Sequence, residues 1–155
     1  MVEPDPEEQL RVYASALAEG IERAIPAWVS GSVERLVVAW RGSVPEPVRR
    51  AAEEAGEQAR VEVAPAIHEL LAADVNAQRT TPLALLRHAV HYPTAVLRQA
   101  GVPAVERDGF AERSFPDDVY DLSPASLADL DPSLAEAGLA WGAAKAFVHR
   151  RRHRP

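Results

Sequence analysis

Apolar residues in the first part of the chain recur at steps of three and four, which is the spacing of an amphipathic helix. The first stripe consists of Leu10, Ala14, Leu17, Ile21 and Ala24. Pro26 follows this stripe, but the apolar pattern resumes at Trp28. Since proline removes one helical hydrogen bond and crowds the preceding turn, the pattern predicts either one bent helix or two short helices.

Residues 33–40 fit two kinds of secondary structure. A helical stripe would consist of Val33, Leu36, Val37 and Trp40. The adjacent β-branched residues Val37 and Val38 would also suit a strand, and periodicity does not decide so short a run. We favour a helix because partners for a strand are scarce, with only residues 60–63 and 102–105 as candidates.

Helical periodicity continues through the middle of the chain. One long stripe runs over residues 48–75 and contains Pro65 near its middle. Another helix is predicted to begin at Pro82, because Thr81 can cap it and proline is favoured at the first helical position. Gly101 is placed to end that helix, since glycine readily adopts the left-handed conformation that follows many helices.

The periodic pattern changes between residues 102 and 133. Five residues interrupt this segment: Pro103, Gly109, Pro116, Pro124 and Pro132. From Glu106 to Asp131 it holds eight acidic residues against two arginines. Aromatic residues recur too often for a disordered composition, so we predict an ordered but irregular acidic segment. Short helical turns are expected where Ser123 precedes Pro124 and where Asp131 precedes Pro132.

The elements together predict an all-α protein. Its main part is a single helical domain over residues 1–149, a bundle of about five or six partly proline-kinked helices with the irregular acidic segment 102–133. The last helix is expected over residues 132–149. Residues 1–6 are predicted to form a flexible arm, and residues 150–155 a basic C-terminal tail.

Composition argues against most catalytic chemistry. The chain has no cysteine, which excludes disulfides, thiolate nucleophiles and cysteine-ligated metal sites. Its one lysine is Lys145, whereas Schiff-base and P-loop chemistry normally need a dedicated lysine. No GxSxG, SxxK or glycine-rich phosphate loop is present. We therefore favour a non-enzymatic protein without a cofactor, while the sequence leaves the identity of any small-molecule ligand open.

The sequence also indicates a compartment. No apolar run reaches the roughly 18 residues that a membrane-spanning helix needs. The first residues are acidic, whereas secretory leaders begin with positive charge. We expect a cytoplasmic protein without a membrane span.

Two histidines form the candidate metal site. His88 and His91 are three residues apart in a predicted helix, so they lie on one face, where two imidazoles can share a metal ion. His68 or Asp74 would be a further ligand from another helix. The alternative is that one histidine borders the core and the other is solvated, and Arg87 would oppose a cation.

A partner protein, either another copy or a different chain, is the interaction that the sequence favours. Aromatic and acidic residues of the irregular segment, together with a tryptophan of the last helix, form the candidate surface: Phe110, Phe115, Asp117, Asp118, Tyr120 and Trp141. Aromatic side chains are enriched as interface anchors. Their alternative role is intramolecular packing.

Charge is unevenly distributed between the body and the end of the chain. The net charge is −6, but the last eleven residues carry five basic groups and no acid. Four of these are the candidate residues for nucleic acid or an acidic partner: Arg150, Arg151, Arg152 and Arg154. Clustered arginines neutralise phosphates, although positive charge at a helix C-terminus is also favourable by itself. A nucleic-acid-associated factor is thus the alternative to a protein-interaction or regulatory module, and a metal-binding enzyme or sensor is the second alternative.

Overall fold

The computed structural model describes residues 5–104 and 118–153, and all regular structure within these ranges is helical. The α-helices are α1 (Pro6–Arg41), α2 (Glu46–Ala72), α3 (Pro82–Arg87), α4 (His91–Gln99) and α5 (Leu134–Arg152). Short 3-10 turns lie at Val75–Ala77, His88–Val90 and Leu127–Asp129. The predicted all-α class is confirmed. Because α3, the turn 88–90 and α4 follow one another without a break, the bundle amounts to four helical segments, slightly fewer than the five or six expected.

The first helix runs through its proline. Asp5 caps α1 by accepting a hydrogen bond from the Glu7 backbone N–H, and Gly42 ends it with φ 84°. Pro26 lies inside α1 and does not end it, so one helix of 36 residues forms rather than two short ones. Residues 33–40 belong to the same helix, as favoured above.

A hairpin of α1 and α2 forms the centre of the bundle. Pro65 is accommodated inside α2, as Pro26 is inside α1. Buried α1 residues such as Leu17, Ile21 and Ile25 pack in the main core with residues of α2. The facing residues of α2 are small, and a Cβ added at Gly56 would lie 2.7 Å from the carbonyl oxygen of Pro26. The two helices are therefore in close contact at the point where α1 carries its proline.

The remaining helices cover two sides of this hairpin. Thr81 caps α3 through the Ala84 backbone N–H at 3.2 Å, as predicted, and Gly101 follows α4 with φ 78°. On the other side, α5 packs along α1, where a Cβ at Gly20 would lie 2.9 Å from Leu134. Small residues on α1 and α2 thus set how closely their neighbours approach.

The segment before α5 differs in detail from the prediction. A helical turn begins at Leu127 instead of Pro124, because Ser126 caps it and the Asp129 side chain accepts from the Ser126 backbone N–H. Asp131 accepts hydrogen bonds from the backbone and hydroxyl of Ser133, and α5 starts at Leu134. The helix then continues beyond His149 to Arg152. Residues 105–117 lie outside the described ranges.

Within the two described ranges, no helix combines the length and the apolar character needed to cross a membrane.

The contact between Gly56 and Pro26 predicts an asymmetry between two glycine substitutions. Gly56→Ala should lower the free energy of unfolding by about 1–3 kcal/mol, because the new methyl group meets backbone that only moves with the helix. Gly31→Ala is the matched control, since its nearest neighbour is the flexible Arg35 side chain at 3.5 Å. It should stabilise α1 by up to about 1 kcal/mol. Urea unfolding followed by circular dichroism measures both, and equal midpoints would contradict the close contact.

Candidate functional site

The two histidines of the candidate metal site lie where α3 passes into α4. His91 Nδ1 is 2.6 Å from the backbone carbonyl oxygen of His88, which it contacts as a donor. Its Nε2 lies 3.8 Å from a carboxylate oxygen of Glu62 on α2. The hydroxyl of Tyr92 donates to the same carboxylate, and this hydrogen bond raises the pKa of Tyr92 above its ordinary value. The Nε2 atom of His91 thus faces the Glu62 carboxylate on α2.

His88 and His91 line an open groove of about 590 Å³. Arg87 and Arg98 share this groove with Asp118. Guanidinium groups beside the imidazoles oppose the binding of a cation. In the part of the chain that the structure describes, no group of three or more potential ligands is arranged to hold a metal ion. The metal site at His88 and His91 stays a prediction.

Asp118 has an intramolecular role in the acidic segment. Its side chain is 7% exposed, and its two oxygens accept hydrogen bonds from the Leu122 and Ser123 backbone N–H groups at 2.8 and 2.7 Å. These bonds hold a turn in which Asp121 adopts a positive φ of 57°. Asp118 therefore holds the local backbone in place.

Tyr120 ties this segment to the helical core. It is 4% exposed, and its hydroxyl donates to the backbone carbonyl oxygen of Val102 at 2.6 Å. Its ring packs in a second apolar cluster with Val37 and Leu97. The side chains of Asp118 and Tyr120 are thus both buried and hydrogen-bonded to backbone groups of the same chain. The other predicted contact residues of this segment, Phe110, Phe115 and Asp117, lie outside the described ranges.

Trp141 lies on the inner side of α5. It packs against the main core, and the Lys145 Nζ atom lies 4.9 Å from its ring centroid. Its indole nitrogen is buried and has no hydrogen-bond partner among the described residues, and the same holds for the Oε1 atom of Gln78. Both residues line a cleft of about 190 Å³, which has room for ordered water. Trp141 therefore contributes to packing between α5 and the hairpin.

The basic end of the chain is part of α5. Arg150, Arg151 and Arg152 occupy its last turn, while Arg154 lies outside the described ranges. Positive charge at this end complements the helix dipole.

Arg152 differs from its two neighbours because it is paired. Its Nε donates to Glu7 at 2.8 Å and its Nη1 to Asp74 at 2.9 Å. The hydrogen bond from Arg152 is the main cause that holds the pKa of Asp74 below its ordinary value of 3.8. We call these three residues the Arg152 clamp, and it joins the end of α5 to the start of α1 and to the loop after α2.

A second group of charged side chains joins α1 to α2. Glu22 accepts from Arg60 at 2.9 Å and lies 2.7 Å from His68 Nε2. The hydrogen bond with His68 is the largest cause of the lowered pKa of Glu22, and Arg60 adds to it. Glu57 pairs with Arg60 on the same helix. These side chains thus form hydrogen bonds with one another across the α1–α2 hairpin.

The candidate functional site is the side of α5 that faces away from the bundle. Seven residues form this outer face of α5: Glu136, Leu139, Ala140, Ala143, Ala146, Phe147 and Arg150. Their steps of three and four place them along one side of the helix. Leu139 is 75% exposed and Phe147 is 48% exposed. The opposite side carries Leu134, Trp141 and Val148, which contact the bundle.

The exposure of Leu139 and Phe147 does not follow from simple periodicity. Both fit the apolar pattern of α5, and that pattern alone assigns them to the core side. A helical projection gives the missing signal, because Leu134, Trp141 and Val148 are spaced by seven and occupy one side, so Leu139 and Phe147 lie on the other. A helix with apolar residues on two opposite sides must bury both sides or expose one. In α5 the side that carries Leu139 and Phe147 is exposed.

Comparisons of the chain with protein-family models, with curated proteins and with solved structures gave no match.

The buried hydroxyl of Tyr120 predicts a measurable loss of stability. Tyr120→Phe should lower the free energy of unfolding by about 1–3 kcal/mol, because the carbonyl of Val102 loses its partner in a buried place. Tyr13→Phe is the control, since the hydrogen bond that the Tyr13 hydroxyl accepts from Gln9 is exposed, and water can take the place of the lost hydroxyl. Chemical unfolding measures both variants. A loss in Tyr120→Phe no larger than that in Tyr13→Phe would contradict the role of this bond.

The Arg152 clamp predicts a stability difference that depends on pH. Arg152→Gln should unfold at lower urea concentration than the wild type at neutral pH. Because the pKa of Asp74 is lowered in the folded state, the pairing of Asp74 with Arg152 adds to the free energy of unfolding at pH values above the ordinary pKa of 3.8. It is lost as pH falls below 3.8 through the folded-state value, so the two midpoints should converge there.

Arg151→Gln is the matched control for this prediction. It removes the same charge from the same helix end, at an exposed residue that shows no ion pair within the described ranges. Its unfolding midpoint should stay close to that of the wild type at every pH. A midpoint difference for Arg152→Gln that persists unchanged into acid would show that the clamp does not act through Asp74.

Proposed function

We propose that this chain is a non-enzymatic protein-interaction module that binds a partner protein through the outer face of α5. The observation that carries the proposal is the exposure of Leu139 and Phe147, two large apolar side chains, on one side of a helix whose other side packs on the bundle. The cytoplasm, expected from the sequence, is the proposed compartment.

The outer face of α5 has the layout of a helical recognition surface. Helices that dock on partners present anchor side chains at steps of three, four and seven. Leu139 and Phe147 are eight residues apart, which is two steps of four through Ala143, so they lie on the same side of the helix. The small residues Ala143 and Ala146 lie between them. Covering Leu139 would contribute up to about 1.5–3 kcal/mol, and covering Phe147, which is already half-buried, roughly half as much.

Among residues 5–104 and 118–153, nothing in the packing of α5 requires apolar residues at these positions. The contacts of α5 with α1 are made by the opposite side of the helix, through residues such as Leu134 and Trp141. Polar residues at positions 139 and 147 would keep that packing and remove the cost of exposing apolar surface to water. A partner that covers these positions accounts for their apolar character.

The Arg152 clamp counts against the alternative in which the arginine tail binds nucleic acid. Glu7 and Asp74 place two carboxylates beside Arg152, and they would repel an approaching phosphate. Arg150 and Arg151 remain exposed, but in the part of the chain that the structure describes no wider basic surface surrounds them, and two arginines alone are a weak phosphate site. In the interaction that we propose, Arg150 is a charged residue at one end of the apolar face and contacts the partner protein there.

A photo-crosslinking residue placed on the outer face of α5 tests this function. With the crosslinker at position 139, irradiation in cells that produce the protein at its native level should give an adduct with a specific protein. The crosslinker at position 61 is the matched control, because Val61 is also an exposed apolar residue but lies on α2. Position 61 should give no such adduct.

A second substitution makes the result specific to the outer face of α5. Phe147→Ser should abolish the adduct from position 139, because it removes the second anchor of the same face. Circular dichroism should show that the variant remains folded, since Phe147 lies on the exposed side of α5. No adduct from position 139, or an adduct that persists with Phe147→Ser, would overturn the proposed function.

A further inference from the structure

The outer face of α5 has a pattern that is symmetric about its centre. Ala143 lies in the middle of the face, with Leu139 four residues before it and Phe147 four residues after it. Glu136 lies seven residues before Ala143, and Arg150 lies seven residues after it. Both flanking charges are exposed. The face is therefore apolar in the middle, negative at one end and positive at the other.

Such a pattern is complementary to itself when the direction of the helix is reversed. We propose that the partner on the outer face of α5 is a second copy of this chain, packed antiparallel with a two-fold axis at Ala143. In a two-fold interface each contact occurs twice, because residue i meets residue j and residue j meets residue i. This inference rests on the proposed function, since it names the occupant of the same face.

The antiparallel arrangement gives each residue of the face a suitable neighbour. Leu139 of one copy lies opposite Phe147 of the other, so both exposed anchors become covered. Glu136 of one copy lies opposite Arg150 of the other, which forms two ion pairs per dimer. A parallel arrangement would place Glu136 against Glu136 and Arg150 against Arg150, and repulsion between like charges disfavours it.

The backbone at the centre of the face allows the helices to approach closely. Ala143 lies on the proposed axis, and Ala146 is its neighbour on the outer face. Ala143 and Ala146 are both exposed. Gly142 lies at the edge of this face, and a Cβ added there would meet nothing within 4 Å. The dipoles of the two helices would run in opposite directions, which is the favourable arrangement for packed helices.

A charge-reversal experiment tests this dimer. The oligomeric state of the full chain is measured by analytical ultracentrifugation over a range of concentrations. The wild type should dimerise, and Glu136→Arg or Arg150→Glu alone should weaken the dimer by about tenfold, because each leaves two like-charged contacts. The double variant Glu136→Arg/Arg150→Glu should restore dimerisation to near the wild-type level.

The double variant also separates pairing from helix stability. Arginine near the start of α5 and glutamate near its end both oppose the helix dipole, so the double variant is the least favourable for the helix itself. Its recovery of dimerisation would therefore come from the restored pairs between copies. Arg151→Glu is the matched control, since it makes the same charge change beside the face, and it should leave the dimer within about twofold of the wild type.

The outcomes distinguish this inference from the proposed function. A wild type that stays monomeric at all concentrations, or a double variant no better than the single ones, would overturn the antiparallel dimer. The proposed function would survive that result if the crosslinker at position 139 still gave an adduct with another protein that Phe147→Ser abolished. An adduct of twice the mass of the chain, lost in Glu136→Arg and regained in the double variant, would support the dimer.

Discussion

The structure depends on α1 remaining one helix through Pro26. Because it does not break, α1 is a continuous helix against which α2, α4 and α5 all pack, from different sides. The close contact with α2 is made at the same point, where Gly56 faces the carbonyl oxygen of Pro26. A proline leaves a helical carbonyl without its usual amide partner and bends the local backbone. Gly56 opposite Pro26 lets the two backbones approach closely, so the two residues act together in defining the hairpin.

Much of the architecture could be predicted from the sequence because periodicity and caps are local signals. The stripe from Leu10 to Ala24, the threonine cap at Thr81 and the glycine after α4 all correspond to features of the structure. The continuation of α1 past Pro26 could not be decided in this way. The structure packs Gly56 of α2 against Pro26, and a one-dimensional pattern contains no information about such a neighbouring helix.

The candidate surface was harder to predict than the fold. Asp118 and Tyr120 have the residue types of a binding surface, but the structure buries them, one in a backbone turn and the other against Val102. Leu139 and Phe147 have the residue types of a core, but they are exposed. Residue type gives the chemistry of a side chain, while its direction is set by which side of the helix meets the bundle. In α5 the side that meets the bundle is the one that carries Leu134, Trp141 and Val148.

The Arg152 clamp has a topological consequence. Glu7 and Arg152 are 145 positions apart in sequence, yet their side chains are hydrogen-bonded. The start of α1 and the end of α5 therefore lie side by side, so the five described helices follow a nearly closed path. A short peptide linking these two ends would follow the existing geometry, and the chain could then be opened at residues 42–45, between α1 and α2. The order of the helices along the chain would change while their arrangement in space stayed the same.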